Sequence, residues 1–341
     1  MKNEEKALYA FLTGGAGVGK TVLVKSIYQA LIRHFNKQPG SNPDDPKVLL
    51  AAPTGKAAFL INGNTIHNLF QIPASQGFSY KPLRSERLNT LRCKFQSTKL
   101  IIIDEISMVG NRMLQYIHQR LQQITGTSKL FGGISVLAVG DLYQLKPVFD
   151  GWIYENLRDD YGPLATNLWK DNFKMYHLQQ IMRQKESKEF AAILNRIREC
   201  KHTTEDINIL KERKIEKDET KEDYPLLVPH IFLQNKEVKS FNSRIFNISH
   251  QDKFTHQARD FMIGDIDQEI KEKVKKSIPD DTNKTMGLEK VLELFKGMRC
   301  EISVNVDVED GLANGASGIL VGVSKFSDNF LAYDIMWVLF I

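Results

Sequence analysis

The stretch Gly14-Gly-Ala-Gly-Val-Gly-Lys-Thr21 lies between an apolar run, Tyr9–Thr13, and a segment from Lys20 with apolar residues at helical spacing. It matches the pattern G-x-x-x-x-G-K-[ST], whose glycines let the backbone wrap a polyphosphate and point its N–H groups inward. The helix that begins at Lys20 adds the positive end of its dipole. A chance match in a glycine-rich turn is the alternative. The strand before the stretch and the helix after it favour a phosphate-binding loop.

Two side chains of this stretch have distinct predicted tasks. Lys20 supplies a positive charge to the β- and γ-phosphates, and the hydroxyl of Thr21 is placed to bind Mg²⁺. We therefore expect ATP with Mg²⁺ as the ligand. The residues predicted to hold it are Gly14, Gly15, Ala16, Gly17, Val18, Gly19, Lys20 and Thr21.

Acidic and amide side chains follow two further apolar runs. Asp104 and Glu105 come directly after Leu100–Ile103, and Gln144 follows the run that ends at Val139. Asp104 is predicted to hold Mg²⁺, and Glu105 to act as the general base that polarises the attacking water. Gln144 is predicted to sense the γ-phosphate by hydrogen bonding. Adjacent acidic residues at a strand end are also compatible with the start of an ordinary turn.

A further strand-to-helix turn carries groups suited to a phosphodiester backbone. Backbone N–H groups, a hydroxyl and an ammonium occur together at Pro53, Thr54, Gly55 and Lys56, and His67 follows nearby. An ordinary turn with a structural His67 is the alternative. By chemistry alone, Arg183 in the segment Ile181–Gln184 is a surface residue. The basic run from Lys81 to Lys99 is either a solvated helix face or a surface that faces phosphates.

Composition sets the outer limits. The chain has 341 residues, enough for two domains, with 42% apolar and 26% charged residues and a net charge of +5. Its three cysteines have neither metal-ligand nor redox spacing and fit a reducing intracellular compartment. No stretch approaches the roughly 18 apolar residues needed to span a bilayer. Apolar runs that alternate with helical segments predict an α/β fold with a parallel sheet covered on both faces. The predicted strands are Tyr9–Thr13, Lys47–Ala52, Leu100–Ile103 and Ile134–Val139.

Taken in order, several segments resemble one family. GGAGVGKT, APTGKAA, TIH, IIIDEISM, VGDLYQLKPV and MRQ are similar to the motif series of superfamily-one DNA helicases of the Pif/RecD-like branch, including the helicase region encoded by Helitron transposons. The segment Asp307–Gly318 resembles the N-G-x-x-G turn of the family's second domain. The likeness covers nearly the whole chain.

The resemblance implies a P-loop NTPase with two RecA-like domains, each with a parallel sheet. We expect the first domain at residues 1–175 and the second, incomplete at its C-terminus, at 176–341, with the boundary near 170–180. ATP would bind between the domains and drive 5′→3′ translocation on single-stranded DNA and at duplex junctions. Repair, recombination, telomere maintenance and transposition use such motors, and we expect a nuclear monomer that does not contact a membrane.

The resemblance also assigns roles to particular residues. Lys20, Glu105, Gln144 and Arg183 would form the catalytic group, with Arg183 reaching the γ-phosphate. Pro53, Thr54, Gly55, Lys56 and His67 would contact DNA. Asp104 and Thr21 would bind the metal.

The chain also departs from the family pattern. Only ten residues precede Phe11, so we expect the family's adenine-reading glutamine segment to be missing or cut off, and we find no segment like S-Q-G-x-T or A-x-S-R downstream. We therefore expect the chain alone to bind ATP weakly and to hydrolyse it poorly. A decayed transposon-derived nucleotide-binding module and a clamp-loader-like P-loop ATPase are the alternative hypotheses.

Overall fold

The computed structural model divides the chain into two compact units, Met1–Arg213 and Lys214–Ile341. The residues it describes are 6–73, 79–157, 167–180, 182, 188–214, 228–258, 260, 262, 267–279, 285, 288–302, 310, 312, 315–327 and 332–340. Within them, no helix is both long enough and apolar enough to cross a membrane.

Six parallel strands form the sheet of the first unit, in the order β3-β2-β4-β5-β1-β6. They are β1 (Tyr9–Gly14), β2 (Val48–Ala52), β3 (Asn64–Thr65), β4 (Leu100–Ile103), β5 (Ser135–Gly140) and β6 (Lys174–Leu178). The four predicted apolar strands are confirmed to within one residue at each end. Because all the strands are parallel, their carboxyl ends share one edge of the sheet, and the turns that follow them meet there.

Helices cover both faces of this sheet. They are α1 (Lys20–Asn36), α2 (Gly55–Leu60), α3 (Ile66–Leu69), α4 (Ser85–Phe95), α5 (Asn111–Thr125), α6 (Leu168–Asn172), α7 (Lys188–Arg198) and α8 (Thr204–Lys211). Alternate strand residues point to opposite faces. Leu50 and Ile102 pack with α1 and α2, whereas Leu49 and Ile101 pack with α3, α4 and α5. Of the basic run from Lys81 to Lys99, Arg87, Arg92 and Lys94 lie exposed on α4, and the other basic residues are exposed just before or after this helix.

The expected domain boundary differs from the observed division. A boundary at 175/176 would cut through β6. The residues of β6 pair in parallel register with Ala10 to Gly14 of β1. The sequence of β6, Lys-Met-Tyr-His-Leu, is half polar because the strand lies at the sheet edge and is mostly exposed. The first compact unit therefore continues through α7 and α8 to Arg213.

The second unit contains helices and antiparallel strands in its described parts. Its elements are α9 (Asn235–Ile248), β7 (Lys253–Gln257), α10 (Gln268–Ser277), β8 (Val291–Phe295), β9 (Arg299–Glu301), β10 (Ser317–Ser327) and β11 (Ala332–Phe340). β7 pairs with β8, and β10 pairs with β9 and β11, all antiparallel. Among the described strands, the expected parallel sheet therefore occurs only in the first unit.

The short apolar run Pro229–Leu233 predicts a strand, and this prediction is wrong. Residues 229–233 adopt no regular structure, and Ile231 and Leu233 are almost fully exposed. Their apolar pattern has no neighbouring strand to pair with in this part of the structure. The helical pattern predicted at Val238–Phe246 is confirmed within α9, and the strand predicted for the apolar run from Ile335 is confirmed as the last part of β11.

Candidate functional site

The phosphate-binding loop joins β1 to α1 as predicted. Gly17 and Gly19 have φ angles of +76° and +88°, a region in which side chains are disfavoured. A methyl group at Gly14 would lie 2.6 Å from the carbonyl oxygen of Leu178 on β6. The two strands can approach this closely only because residue 14 is glycine. The backbone geometry of the loop therefore requires glycine at these three positions.

The ammonium of Lys20 lies against the loop. Its Nζ donates to the carbonyl oxygens of Gly14 and Gly15 at 2.9 and 3.0 Å. Burial lowers the pKa of Lys20. Three carboxylates oppose this shift electrostatically, namely Asp141, Glu105 and Asp104. The sheet thus brings one cation and three anions together from turns after three different strands.

The two carboxylates after β4 have different settings. Asp104 is buried, and its Oδ1 accepts from the backbone N–H of Glu105 at 2.9 Å. Burial raises the pKa of Asp104. Burial also raises the pKa of Glu105, and the neighbouring charge of Asp104 adds to the effect. Glu105 has a φ of +51°, an uncommon backbone conformation that re-aims its side chain beyond the end of the strand. A half-buried carboxylate with a raised pKa suits a general base.

The turn after β5 is organised by Asp141, which is fully buried. Its carboxylate accepts from Arg198 through Nε at 2.7 Å and Nη2 at 2.6 Å, and from the backbone N–H of Tyr143 at 3.1 Å. Gln144 lies in the same turn, with Nε2 3.5 Å from Asp141 Oδ2, and its side chain is exposed. Burial raises the pKa of Asp141, but the hydrogen bonds from Arg198 and Tyr143 together outweigh burial and hold that pKa below its ordinary value.

Arg198 is a residue of the site that sequence reasoning missed. Besides its pair with Asp141, its guanidinium lies 4.5 Å from the ring centre of Tyr143. A methyl group at Gly15 would be 3.3 Å from Asn195 Oδ1 and 4.0 Å from Arg198 Cζ, so the end of α7 lies against the phosphate-binding loop. No local pattern marks Arg198, because its partner is 57 residues away in sequence.

The predicted DNA-contacting residues also meet at this edge. Thr54 is the N-cap of α2, and its hydroxyl oxygen accepts from the N–H of Ala57 at 3.3 Å. Lys56 is exposed, and His67 is half-buried with a pKa lowered by burial. β2 and β3 pair Ala52 with Thr65, which brings the turn at Pro53–Lys56 beside the start of α3. The side chain of Thr54 therefore has a structural role, and its contact with DNA stays a prediction.

Several predicted residues lie outside the described part. Arg183 and Gln184 are among them, and so are most residues of the segment 307–314. Met182 is described, and its N–H donates to the carbonyl oxygen of Gly17 at 2.8 Å. The chain just before Arg183 is thus hydrogen-bonded to the phosphate-binding loop, while the role of Arg183 itself stays a prediction.

Taken together, these features define a P-loop NTPase fold of the RecA-like kind. Its phosphate-binding loop follows β1, its paired carboxylates follow β4, and Asp141 with Gln144 follows β5. All lie at the carboxyl edge of a six-stranded parallel sheet.

Comparisons with known proteins agree with this class. The family model of PIF1-like helicases matches residues 1–208. The chain is similar to the ATP-dependent DNA helicase PIF1 of Candida albicans, at 31% identity over 55% of this chain and 20% of the relative. The ATP-dependent DNA helicase Pif1 of a Psychrobacter species is 34% identical over 55% of this chain and 28% of its own length. The chain thus spans less than a third of either relative.

A solved structure extends the likeness across nearly the whole chain. The Bacteroides Pif1 helicase in complex with ADP-AlF3 and single-stranded DNA has a TM-score of 0.61 and 25% identity, and the match covers 99% of this chain and 69% of the other. The chain belongs to the PIF1-like helicase family.

Proposed function

We propose that this chain is the motor region of an ATP-dependent DNA helicase that moves 5′→3′ along single-stranded DNA and opens duplex junctions. One observation carries the proposal. The ammonium of Lys20 is held at the phosphate-binding loop within electrostatic range of Asp104, Glu105 and Asp141. A loop of this kind suits binding of a polyphosphate, and the carboxylates beside it suit hydrolysis. Membership of the PIF1-like helicase family supports the same activity.

Each residue has a defined part in the proposed hydrolysis. On binding, phosphate oxygens of the triphosphate would replace the two backbone carbonyl oxygens that accept hydrogen bonds from Lys20. Glu105 would accept a proton from the attacking water, because its raised pKa makes it a stronger base than an ordinary carboxylate. Gln144 would contact the γ-phosphate from a turn fixed by Asp141, and Arg183 would supply positive charge in the transition state.

Mg²⁺ fits the oxygen donors at this edge. Thr21 is exposed in the first turn of α1, and Asp104 directly follows β4 at the same edge of the sheet. Bound there, Mg²⁺ would neutralise charge on the β- and γ-phosphates. In the described part of the chain, no group of three or more His, Cys, Asp and Glu side chains is placed to hold a metal by itself. That fits an ion that takes most of its ligands from phosphate and water.

Single-stranded DNA would follow the turn after β2. Lys56 offers an exposed charge, the N-terminus of α2 offers backbone N–H groups, and His67 lies beside them. In the cell we propose a monomeric nuclear protein that acts in repair, recombination or telomere maintenance.

The test measures ATP hydrolysis by the purified chain with and without oligo(dT), and strand displacement on duplexes with a 5′ or a 3′ single-stranded tail. Because the chain alone is expected to hydrolyse ATP poorly, we expect a low rate that still rises with DNA, and displacement only from the 5′ tail. Glu105→Gln should keep nucleotide binding and lower hydrolysis by about 10²- to 10⁴-fold. Nucleotide binding without DNA-stimulated hydrolysis would contradict the motor and leave a nucleotide-binding module.

A further inference from the structure

The loop after β5 presents several apolar side chains to solvent. Tyr143, Leu145 and Val148 are well exposed, and Phe149 is 91% exposed. Single exposed apolar residues are common on protein surfaces, but an aromatic ring left almost entirely in water within a run of such residues marks a contact surface. The question is whether Phe149 is loose or held.

The backbone of Phe149 is held in an unfavourable conformation. Its φ is +56°, a region that costs a bulky residue on the order of 1 kcal/mol or more. The guanidinium of Arg112, at the start of α5, donates to its carbonyl oxygen. Two residues further along the chain, the carbonyl oxygen of Gly151 accepts from the N–H of Asn111 at 3.2 Å. The loop is therefore fastened to α5 at the carbonyl of Phe149 and again two residues later at Gly151.

Asp150 completes this fastening. Its side chain is 1% exposed, and its carboxylate accepts from the backbone N–H groups of Arg112 at 3.4 Å and Met113 at 3.1 Å. Arg112 Nε adds an ion pair at 3.0 Å. A methyl group at Gly110 would lie 2.2 Å from this carboxylate, so the loop is pressed onto the end of the helix. The fold thus maintains backbone strain at Phe149 while leaving its ring uncovered.

The surroundings of the ring favour one kind of occupant. Phe149, Lys146 and Trp152 line an open cavity of about 810 Å³. Trp152 stacks on Tyr154 with ring centres 5.7 Å apart and planes 13° apart, and Lys146 is exposed. Aromatic faces beside a lysine are how proteins bind single strands, because bases stack on rings while cations neutralise phosphates. The loop starts at the same carboxyl edge of the sheet as the Pro53–Lys56 turn of the proposed DNA interface, two strands away from it.

We propose that the ring of Phe149, which the loop holds in a fixed position, stacks on a nucleobase of single-stranded DNA, with Lys146 beside the neighbouring phosphate. The identity of the ligand rests on the proposed function, whereas the rigid, exposed ring is a property of the structure. An aromatic ring that already has a fixed position binds a base without first losing conformational freedom, so the contacts that hold the loop favour binding.

The test compares variants of the full chain in binding to a fluorescent oligo(dT). Phe149→Ala should weaken binding about tenfold, and Phe149→Trp should retain it, since base stacking on an aromatic side chain contributes about 1–3 kcal/mol. Val148→Ala is the matched control, because it removes exposed apolar area next to the ring without removing a π face. It should change binding less than twofold, as an estimate from its exposed position.

Two further measurements separate stacking from other roles. Phe149→Gly should raise the melting temperature, since glycine relieves the positive φ, yet weaken DNA binding. On an oligonucleotide of abasic sugar-phosphate, wild type and Phe149→Ala should bind equally. Equal oligo(dT) binding by wild type and Phe149→Ala, with binding by Lys56→Ala still weakened, would contradict base stacking on Phe149 and leave the proposed function intact. Failure of the wild-type chain to bind any single strand would overturn both.

Discussion

Two turns at the carboxyl edge of the first sheet carry the same dipeptide, Gly-Lys, at the start of a helix, yet they differ in backbone and environment. In the turn after β1, left-handed glycines shape a loop, and Lys20 folds back onto two carbonyl oxygens beside three carboxylates. In the turn after β2, Thr54 is an extended N-cap, Gly55 is buried, and Lys56 is exposed.

The difference shows what decides the ligand of each turn. A loop of successive inward N–H groups encloses a polyphosphate, and its lysine is buried with it. A short capped turn with an exposed lysine offers one point charge, which suits a single phosphodiester. The Gly-Lys dipeptide alone does not distinguish a polyphosphate ligand from a phosphodiester ligand. The glycines before it shape the backbone, and the anions around it set the electrostatic environment of the lysine.

Lys20→Ala tests the first turn and carries the largest expected effect. Nucleotide affinity should fall on the order of 100-fold, because truncating one partner of a charge pair costs about 2–5 kcal/mol. Fluorescent nucleotide titration measures it. Lys56→Ala, the matched variant in the second turn, should leave nucleotide affinity unchanged. An equal loss in both variants would contradict the division of tasks.

Arg198→Ala tests how the nucleotide turn is supported. Removing the guanidinium leaves Asp141 buried without its partner, so the free energy of unfolding should fall by about 3 kcal/mol in urea denaturation. At a temperature where the variant is folded, we also expect nucleotide affinity to fall several-fold, since Asp141 orders the turn that carries Gln144.

The chain offers a matched control for this ion pair. Arg196, two residues earlier on α7, pairs with Asp206 through Nε at 2.8 Å. Arg196→Ala should also lower stability, because Asp206 is buried like Asp141, but it should leave nucleotide affinity unchanged. Equal nucleotide affinities in the two variants would show that the Arg198 pair has only a structural role.

Lys56→Ala tests the second turn directly. Affinity for oligo(dT) should fall about threefold to fivefold, and the slope of log K against log salt should decrease by about 0.7, as expected for one lost phosphate contact on a single strand. Titrations at several salt concentrations measure both values. An unchanged salt slope would remove Lys56 from the DNA interface.

Glu105→Gln sharpens the comparison through stability. The folded state raises the pKa of Glu105, so its charged form destabilises the fold at pH values above that pKa. The neutral amide should therefore raise the melting temperature by roughly a degree or two at neutral pH. The gain should disappear as the pH falls through the raised pKa, since the wild-type carboxyl then becomes neutral. Melting curves across this range measure it, and a pH-independent gain would point to packing instead.

Much of the nucleotide site was predictable because its signals are local. The glycines, Lys20 and Thr21 lie in one continuous stretch, and Asp104 and Glu105 directly follow a buried strand. The strand at Lys174–Leu178 was not predictable in the same way, because an exposed edge strand need not be apolar. The first compact unit accordingly continues beyond the boundary expected near 170–180, through α7 and α8 to Arg213.

The sequence by itself determined the parts of this protein in which chemistry and chain order coincide. Those parts are the parallel α/β fold, the phosphate-binding loop and the carboxylates after β4, because strand, turn and helix succeed one another along the chain. Only the tertiary structure decided that Arg198 reaches Asp141, 57 residues away, and that Phe149 is fastened to α5 with its ring in solvent. Such contacts depend on which turns and helices meet in space, and no spacing along the chain encodes that meeting.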